Sequence, residues 1–216
     1  MGEFIAIEGN IGAGKTSLSK LLSADLGCRL LLEQFEDNSF LPKFYEDPAR
    51  YSFPLELSFL AERYQQLRSN ADRSALFNEY LVADYFIHKC LVFAGANLPE
   101  DEFRLYREFF YMASASVVHP SKLVFLHMDT PRLLSNIAKR GRSYESGIRA
   151  DYLDRISEGY FQFFKQLSPS REQTVLILDI NSLDFVHSAE HYHIIKDAIL
   201  RSYTPGIHRL VPGESL

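Results

Sequence analysis

"GNIGAGKT", residues 9 to 16, satisfies the pattern G-x-x-x-x-G-K-[ST] in full. Before it runs "EFIAIEG" (3–9), short and apolar, with the composition of a buried strand. After it "TSLSKLLSADLG" (16–27) reads as a helix closed by glycine. Strand, glycine-rich turn and helix N-terminus together make an anion cradle. Gly9, Asn10, Ile11, Gly12, Ala13 and Gly14 form a turn whose backbone N–H groups curl around phosphate oxygens, and the helix that carries Ser17 adds the positive end of its dipole. Lys15 is placed to reach the β and γ phosphates of a nucleotide, and the Thr16 hydroxyl to ligate Mg2+.

Outward from this stretch, apolar strands alternate with amphipathic helices. Further strands are expected at 28–35, 79–84, 122–128 and 174–180. Helices are expected at 38–46, 48–68, 85–95, 98–117, 130–141, 149–167 and 186–201, with "SNADRS" (69–74) as a polar loop. Strands that read as continuous apolar runs between helices imply a parallel sheet covered on both faces. The expected fold is one α/β domain over 1–202, a five-stranded parallel sheet with helices on both faces. The tail, 203–216, has turn residues and no period, and is expected to be irregular.

The composition narrows the function classes. A net charge of -5 argues against a nucleic-acid polymer as partner, since that role needs a basic face, but leaves room for a small anion held by local Arg and Lys. Cys28 and Cys90 are too few for a disulfide framework and fit a reducing, cytoplasmic setting. No apolar run approaches the ~18 residues of a membrane span, and the strand begins too early for a signal peptide, so no membrane association is expected.

A phosphate-binding loop does not by itself separate a switch, a motor and a kinase. The guanine-selecting N-K-x-D run of a switch GTPase is absent, and the chain is short for a motor or transporter. A small-molecule kinase needs cations around the transferred group, a base near the acceptor hydroxyl, and an acceptor pocket. "KRGRSYESG" (139–147) sets Lys139, Arg140 and Arg142 beside two glycines. They either cap a helix end or form a lid that closes over phosphates. Glu33 ends the second strand at the edge of the sheet where the loop must also lie, as a proton acceptor or as a solvated cap. Asp84 ends the third strand at the same edge, where it holds Mg2+ through water or caps a helix starting at Tyr85.

The helix containing "YSFPLELSFLAERYQQL" (51–67) is the candidate wall of the acceptor pocket. Phe53, Leu57, Leu60, Tyr64 and Leu67 form an apolar arc, with Glu56 and Arg63 one above the other at its margin and Phe59 beside them. The pair is either a salt bridge across two turns or a pair of hydrogen-bonding groups aimed at a ligand.

Together "GNIGAGKTSL", "LLEQF", "FYEDPARYSFPLELSFLAERYQQL", "VADYFIHK", "RGRSYESGI" and "NSLDFV" resemble the deoxynucleoside kinase family, most of all its bacterial deoxyguanosine/deoxyadenosine kinase branch. The likeness runs from about residue 3 to 200 and implies the P-loop kinase fold. It implies that Glu33 takes the proton of the 5′-hydroxyl, that Lys15 and Thr16 serve phosphate and Mg2+, and that Arg140 and Arg142 surround the transferred phosphoryl group of ATP. It implies that Tyr45 and Glu145 hold the 3′-hydroxyl, that "LDF" (183–185), with Asp184 and Phe185, receives the donor adenine, and that Glu56 and Arg63 face the acceptor base. It also implies a homodimer.

Two positions depart from the family pattern. Many relatives carry an acid-Arg-Ser motif where this chain has Asp84-Tyr85-Phe86, which makes Lys89, one helical turn on, the candidate replacement for the missing arginine. Where many relatives have Gln on the central helix, this chain has Glu56. An ionised glutamate only accepts hydrogen bonds and an arginine only donates. Guanine presents N1–H and N2–H to the one and O6 and N7 to the other, and adenine presents N6–H and N7. The expected order is deoxyguanosine, deoxyadenosine, deoxycytidine, thymidine. A nucleoside-monophosphate kinase, or a nucleotide-binding regulatory module without catalysis, is the competing expectation.

Overall fold

The structure, a computed structural model, describes residues 3–34, 38–77, 80–167 and 173–213, and of 70–77 the backbone alone. Six parallel strands form one sheet: β1 (Phe4–Gly9), β2 (Arg29–Leu31), β3 (Leu81–Ala83), β4 (Lys122–His127), β5 (Thr174–Asp179) and β6 (Gly206–Leu210). They lie in the order β2-β3-β1-β4-β5-β6. The helices are α1 (Lys15–Leu26), α2 (Leu41–Glu46), α3 (Pro48–Phe77), α4 (Lys89–Asn97), α5 (Glu100–Ser114), α6 (Thr130–Arg140), α7 (Ala150–Gln166) and α8 (Ala189–Leu200). No helix among the described residues is long and apolar enough to cross a membrane.

The period of two in each strand divides the core. Ile5 and Ile7 of β1 face a cluster with Leu18 and Leu22 of α1, Leu133 and Ile137 of α6, and Ile195 and Ile199 of α8. Ala6 between them faces the other cluster, with Leu60 of α3, Val92 of α4, Phe110 of α5 and Tyr160 of α7. The connection from β1 runs past β3 to β2, while the one from its neighbour β3 runs the other way, across β1 to β4. That opens a crevice at the carboxyl ends of β1 and β3.

The structure corrects the sequence reading in four places. The sheet has six strands, because residues 206–210 of the supposedly irregular tail pair in parallel with β5 from Thr174↔Gly206 to Leu178↔Leu210. Pro and Gly on both sides hid that strand, whose residues alternate between half-buried and exposed, as suits a sheet edge. The polar loop at 69–74 is instead part of α3, which runs on to Phe77. No Gly or Pro stops the helix there, and Ser, Asn and Asp cost only a few tenths of a kcal/mol each in a helix. Strand β2 ends at Leu31 and not at 35, since the Glu33 N–H turns to the Asp84 carboxylate at 2.7 Å, and Phe35 lies outside the described residues. Helix α4 starts at Lys89 and not at Tyr85, so Asp84 caps no helix. The turn 85–88 is held instead by Glu8, which accepts from Phe86 N at 2.6 Å.

Candidate active site

The 9–16 loop takes the shape its glycines allow. Gly12 and Gly14 have φ of 84° and 88°, and a Cβ would lie 2.8 Å from Leu133 O at the first and 2.6 Å from the Phe185 ring at the second. Asn10 staples the loop to α7 by donating to Leu153 O at 2.7 Å and Ser157 Oγ at 2.8 Å, while its own Oδ1 accepts from Ile11 N. Ala13 is buried beneath the loop. Lys15 Nζ donates back to the Asn10 carbonyl at 2.9 Å. Burial and the nearby Lys89 push the Lys15 ammonium down to about 8.

The ends of β1, β2 and β3 converge on two carboxylates. Asp84 accepts from the Thr16 hydroxyl at 2.6 Å with one oxygen and from Glu33 N with the other. It thereby locks the first turn of α1 to the end of β2. Glu33 Oε1 accepts from Arg63 Nε at 2.8 Å and Nη2 at 2.5 Å, and Oε2 from Lys89 Nζ at 2.5 Å. Burial alone would raise the Glu33 carboxyl, but Lys89 and Arg63 outweigh it and hold the group far below the usual carboxylate range. Lys89 thus stands opposite Glu33 as one of its two cationic partners.

Glu56 and Arg63 do not pair with each other. Arg63 gives Nη1 to Cys90 Sγ at 2.9 Å and stacks over the Phe59 ring at 4.8 Å. Glu56, 2% exposed, accepts from Asn97 Nδ2 at 2.7 Å through Oε1, while its Oε2 is buried without a partner. Burial lifts the Glu56 carboxyl to about 7. A carboxyl raised from 4.5 favours the folded state below that value and loses the contribution as pH rises through 7. Glu56→Gln is therefore expected to add on the order of 3 kcal/mol at about pH 8 and little at about pH 4. Thermal unfolding across that range measures it, and a gain that does not vary with pH would show that Glu56 does not titrate there.

The 139–147 segment combines a glycine-capped helix end with a turn whose acid engages the lid-candidate arginines. Helix α6 closes at Arg140 with Gly141 in the left-handed region, φ 69°, and a short 3-10 turn, Ser143–Glu145, follows. Arg140 sends Nη2 to Glu145 Oε1 and Oε2 at 2.6 Å, and Arg142 Nη1 stands 3.4 Å from the same carboxylate. Tyr144 stacks on Tyr45 of α2, with ring centres 5.9 Å apart.

These side chains line two cavities. One is bounded by Tyr45, Glu56, Phe59, Arg63, Lys89, Asn97, Glu145 and Tyr152. The other lies between the P-loop, with Ser17, and the loop that carries Asp184 and Phe185. The two share Gly12, Lys15, Thr16, Glu33, Asp84, Arg140 and Arg142 as a common wall.

Four contributors carried little mark in the sequence. Glu8 was the most visible, an acid inside the apolar strand "FIAIEG"; it is buried and also accepts from Tyr160 OH at 2.8 Å. Arg132 anchors the 180–185 loop by donating to Ile180 O at 3.0 Å and Leu183 O at 2.5 Å. Asn97 and Tyr144 act on groups far away in the chain, and no local pattern marks them.

Thr16 and Asp84 offer a hydroxyl and a carboxylate in contact, the hard oxygen donors that suit Mg2+. Among the described residues no cluster of three His, Cys, Asp or Glu could hold a metal, so the remaining ligands would be phosphate oxygens and water.

A model of the deoxynucleoside kinase family matches residues 5–203. The chain is 38% identical over 184 residues to a deoxyguanosine kinase of Bacillus subtilis strain 168, covering 85% of this chain and 89% of the relative. It is 32% identical over 200 residues to a deoxyguanosine kinase of Lactobacillus johnsonii, covering 86% of each. The structure of a deoxyadenosine kinase from M. mycoides with bound products dCMP and dCDP superposes with a TM-score of 0.77 at 24% identity, over 90% of this chain and 97% of that one, a likeness of fold. With a P-loop, and with two cavities meeting at Glu33, the chain belongs to the deoxynucleoside kinase family and is a kinase.

Proposed function

We propose that this kinase transfers the γ-phosphoryl group of ATP to the 5′-hydroxyl of a purine deoxynucleoside, deoxyguanosine before deoxyadenosine, releasing the 5′-monophosphate and ADP. The shared wall of the two cavities carries the reading. A donor in one and an acceptor in the other would meet where Lys15, Glu33, Arg140 and Arg142 converge, as in-line transfer requires.

Glu33 aligns the 5′-hydroxyl and accepts its proton. With its carboxyl held low by two cations, Glu33 acts mainly by orientation, taking the proton late, in keeping with a loose transition state. Lys15, Arg140 and Arg142 meet the charge that develops on the transferred group. Thr16, and Asp84 through a water, would hold Mg2+, which would supply neutralising charge to the donor phosphates. The P-loop residues Gly9 to Gly14 and Ser17 cradle those phosphates, and the loop with Asp184 and Phe185 receives the donor base. Tyr45 and Glu145 hold the 3′-hydroxyl, which draws the lid over the acceptor.

At the base, Phe59 supplies an apolar face, Glu56 accepts from N1–H and N2–H, and Arg63 donates to O6 and N7. Three of the five Arg63 donors serve Glu33 and Cys90, which leaves two for the base. The four carboxylates of the acceptor cavity, Glu33, Glu56, Asp84 and Glu145, favour a neutral nucleoside over a nucleoside monophosphate. Exposed Leu105, Phe109 and Met112, on one face of α5 at spacings of four and three, support a homodimer through that helix. The free thiols Cys28 and Cys90 support a cytoplasmic setting.

A coupled assay with ATP, Mg2+ and each of the four deoxynucleosides tests the reading. Deoxyguanosine should give the highest kcat/KM and thymidine the lowest; preference for thymidine, or turnover of none, overturns it. Glu56→Gln should lower the deoxyguanosine-to-deoxyadenosine ratio, by about tenfold for the loss of one paired buried acceptor. An unchanged ratio refutes the role of Glu56 at the base.

A further inference from the structure

The two oxygens of Glu56 have unlike surroundings. Oε1 accepts from Asn97 Nδ2 at 2.7 Å, and Oε2 is buried and unpartnered. Asn97 closes α4, where the helix end fixes its backbone, and a further hydrogen bond ties it to Tyr152 of α7. Both Asn97 and Tyr152 line the acceptor cavity. A neutral carboxyl has one carbonyl oxygen and one hydroxyl, and an oxygen that already accepts an amide N–H is the better carbonyl. The Asn97 amide therefore decides where a proton on Glu56 would sit. It must sit on Oε2.

This arrangement makes one atom the reader of the purine edge. We propose that Asn97 is a specificity-positioning residue: by engaging Oε1 it leaves Oε2 to accept from guanine N1–H when Glu56 is ionised and to donate to adenine N1 when Glu56 is protonated. The inference rests on Glu56 facing the acceptor base, as proposed above. It adds that the choice between the two purines depends on pH, and that Asn97 sets the midpoint.

The groups around Glu56 place that midpoint in an accessible range. Arg63 faces it from its own helix, Glu33 from the end of β2, Lys89 and Cys90 from α4, Tyr106 from α5 and Tyr152 from α7. Burial raises the carboxyl most; the Asn97 hydrogen bond, Arg63 and Lys89 lower it, and Glu33 opposes them, leaving it at about 7. Below the midpoint Oε2 carries a proton and suits adenine, and above it Oε2 accepts and suits guanine. The deoxyguanosine-to-deoxyadenosine ratio of kcat/KM is thus expected to rise at least about tenfold from pH ~6 to pH ~8.

The test is that ratio as a function of pH in the wild type, Asn97→Ala, Asn97→Asp and Glu56→Gln. Asn97→Ala removes a donor that favours the carboxylate, so the midpoint should move up and the ratio at pH ~8 should fall about tenfold. Asn97→Asp sets a carboxylate against Oε1 and draws the Glu56 proton onto that oxygen, so Oε2 stays an acceptor and deoxyguanosine should be preferred throughout. Glu56→Gln should give a ratio independent of pH. A purely structural Asn97 would lower kcat/KM for both purines alike, and that result overturns the proposal. So does a flat wild-type ratio, which needs no variant to fold. If Glu56→Gln abolishes the pH dependence while Asn97→Ala leaves the midpoint in place, only the role of Asn97 fails. If Glu56→Gln leaves the ratio as in the wild type, the base-reading role of Glu56 fails with it.

Discussion

Glu33→Gln is expected to lower kcat by about a thousandfold and to destabilise the fold at the same time. The first effect follows from the proposed role of this carboxylate, orienting the acceptor hydroxyl and taking its proton. The second follows from its partners, since the Arg63 and Lys89 side chains are 4% and 7% exposed and Glu33 is the carboxylate both of them engage. Two buried cations left without a counter-charge cost about 3–5 kcal/mol, far more than an exposed ion pair. Steady-state kinetics with thermal unfolding and calorimetric binding separate the two. Near-normal turnover by a variant that still binds both substrates would remove Glu33 from the chemistry. Adding Lys89→Met to Glu33→Gln should restore part of the stability and none of the turnover, because it removes one stranded charge without returning the carboxylate.

Lys15→Met is expected to do the reverse to stability. Turnover should fall by about a thousandfold, because the ammonium that meets the donor phosphates is gone while the length of the side chain is kept. Lys15, however, has no ion-pair partner among the described carboxylates, and its contact is the carbonyl of Asn10. Its ammonium is pushed down to about 8 from 10.5, so burial of the charge opposes folding at every pH below about 8. The ligand-free Lys15→Met protein should therefore melt higher at neutral pH, by about 2 kcal/mol. Retained turnover would sink the phosphate role of Lys15, and a lower melting temperature would sink the account of its strain. Glu33 and Lys15 are both assigned to phosphoryl transfer in the proposed mechanism, yet one supports the fold and the other loads it.

What could be read from the sequence was local. The loop at 9–16 announced itself because its chemistry is contiguous: strand, glycines, lysine and hydroxyl follow one another in eight residues. The 139–147 segment was half legible, since cations beside glycines fit a cap as well as a hinge; the structure shows the cap at Gly141 and, beyond what spacing could tell, the bonds from Arg140 and Arg142 to Glu145. The family likeness pointed to Glu33, Tyr45 and Glu145, and a departure from its motif to Lys89; all four line one cavity. The Glu56 and Arg63 pair shows the limit. Helical spacing put the two on one face, but each finds its partner from another element, Arg63 in Glu33 and Glu56 in Asn97. Such choices depend on which strand lies beside which, and the pattern of apolar residues does not encode strand order. Strand β6 was missed for a related reason: an edge strand is half solvated, so it lacks the apolar run that marked the buried ones.

The position of β1 inside the sheet bears on how the chain is made. The P-loop strand leaves the ribosome well before its neighbours in the sheet, β3 and β4. Ser121, at the head of β4, donates to Phe4 O across 117 residues of chain. Until Lys122–His127 have emerged, the growing polypeptide holds a bare apolar strand with one edge open and a phosphate loop with nothing beneath it. The nucleotide therefore cannot chaperone the first half of synthesis. Closing so long a loop makes folding late and slow, and any pause in translation before β4 would leave the strand that carries the P-loop as the segment most exposed to aggregation.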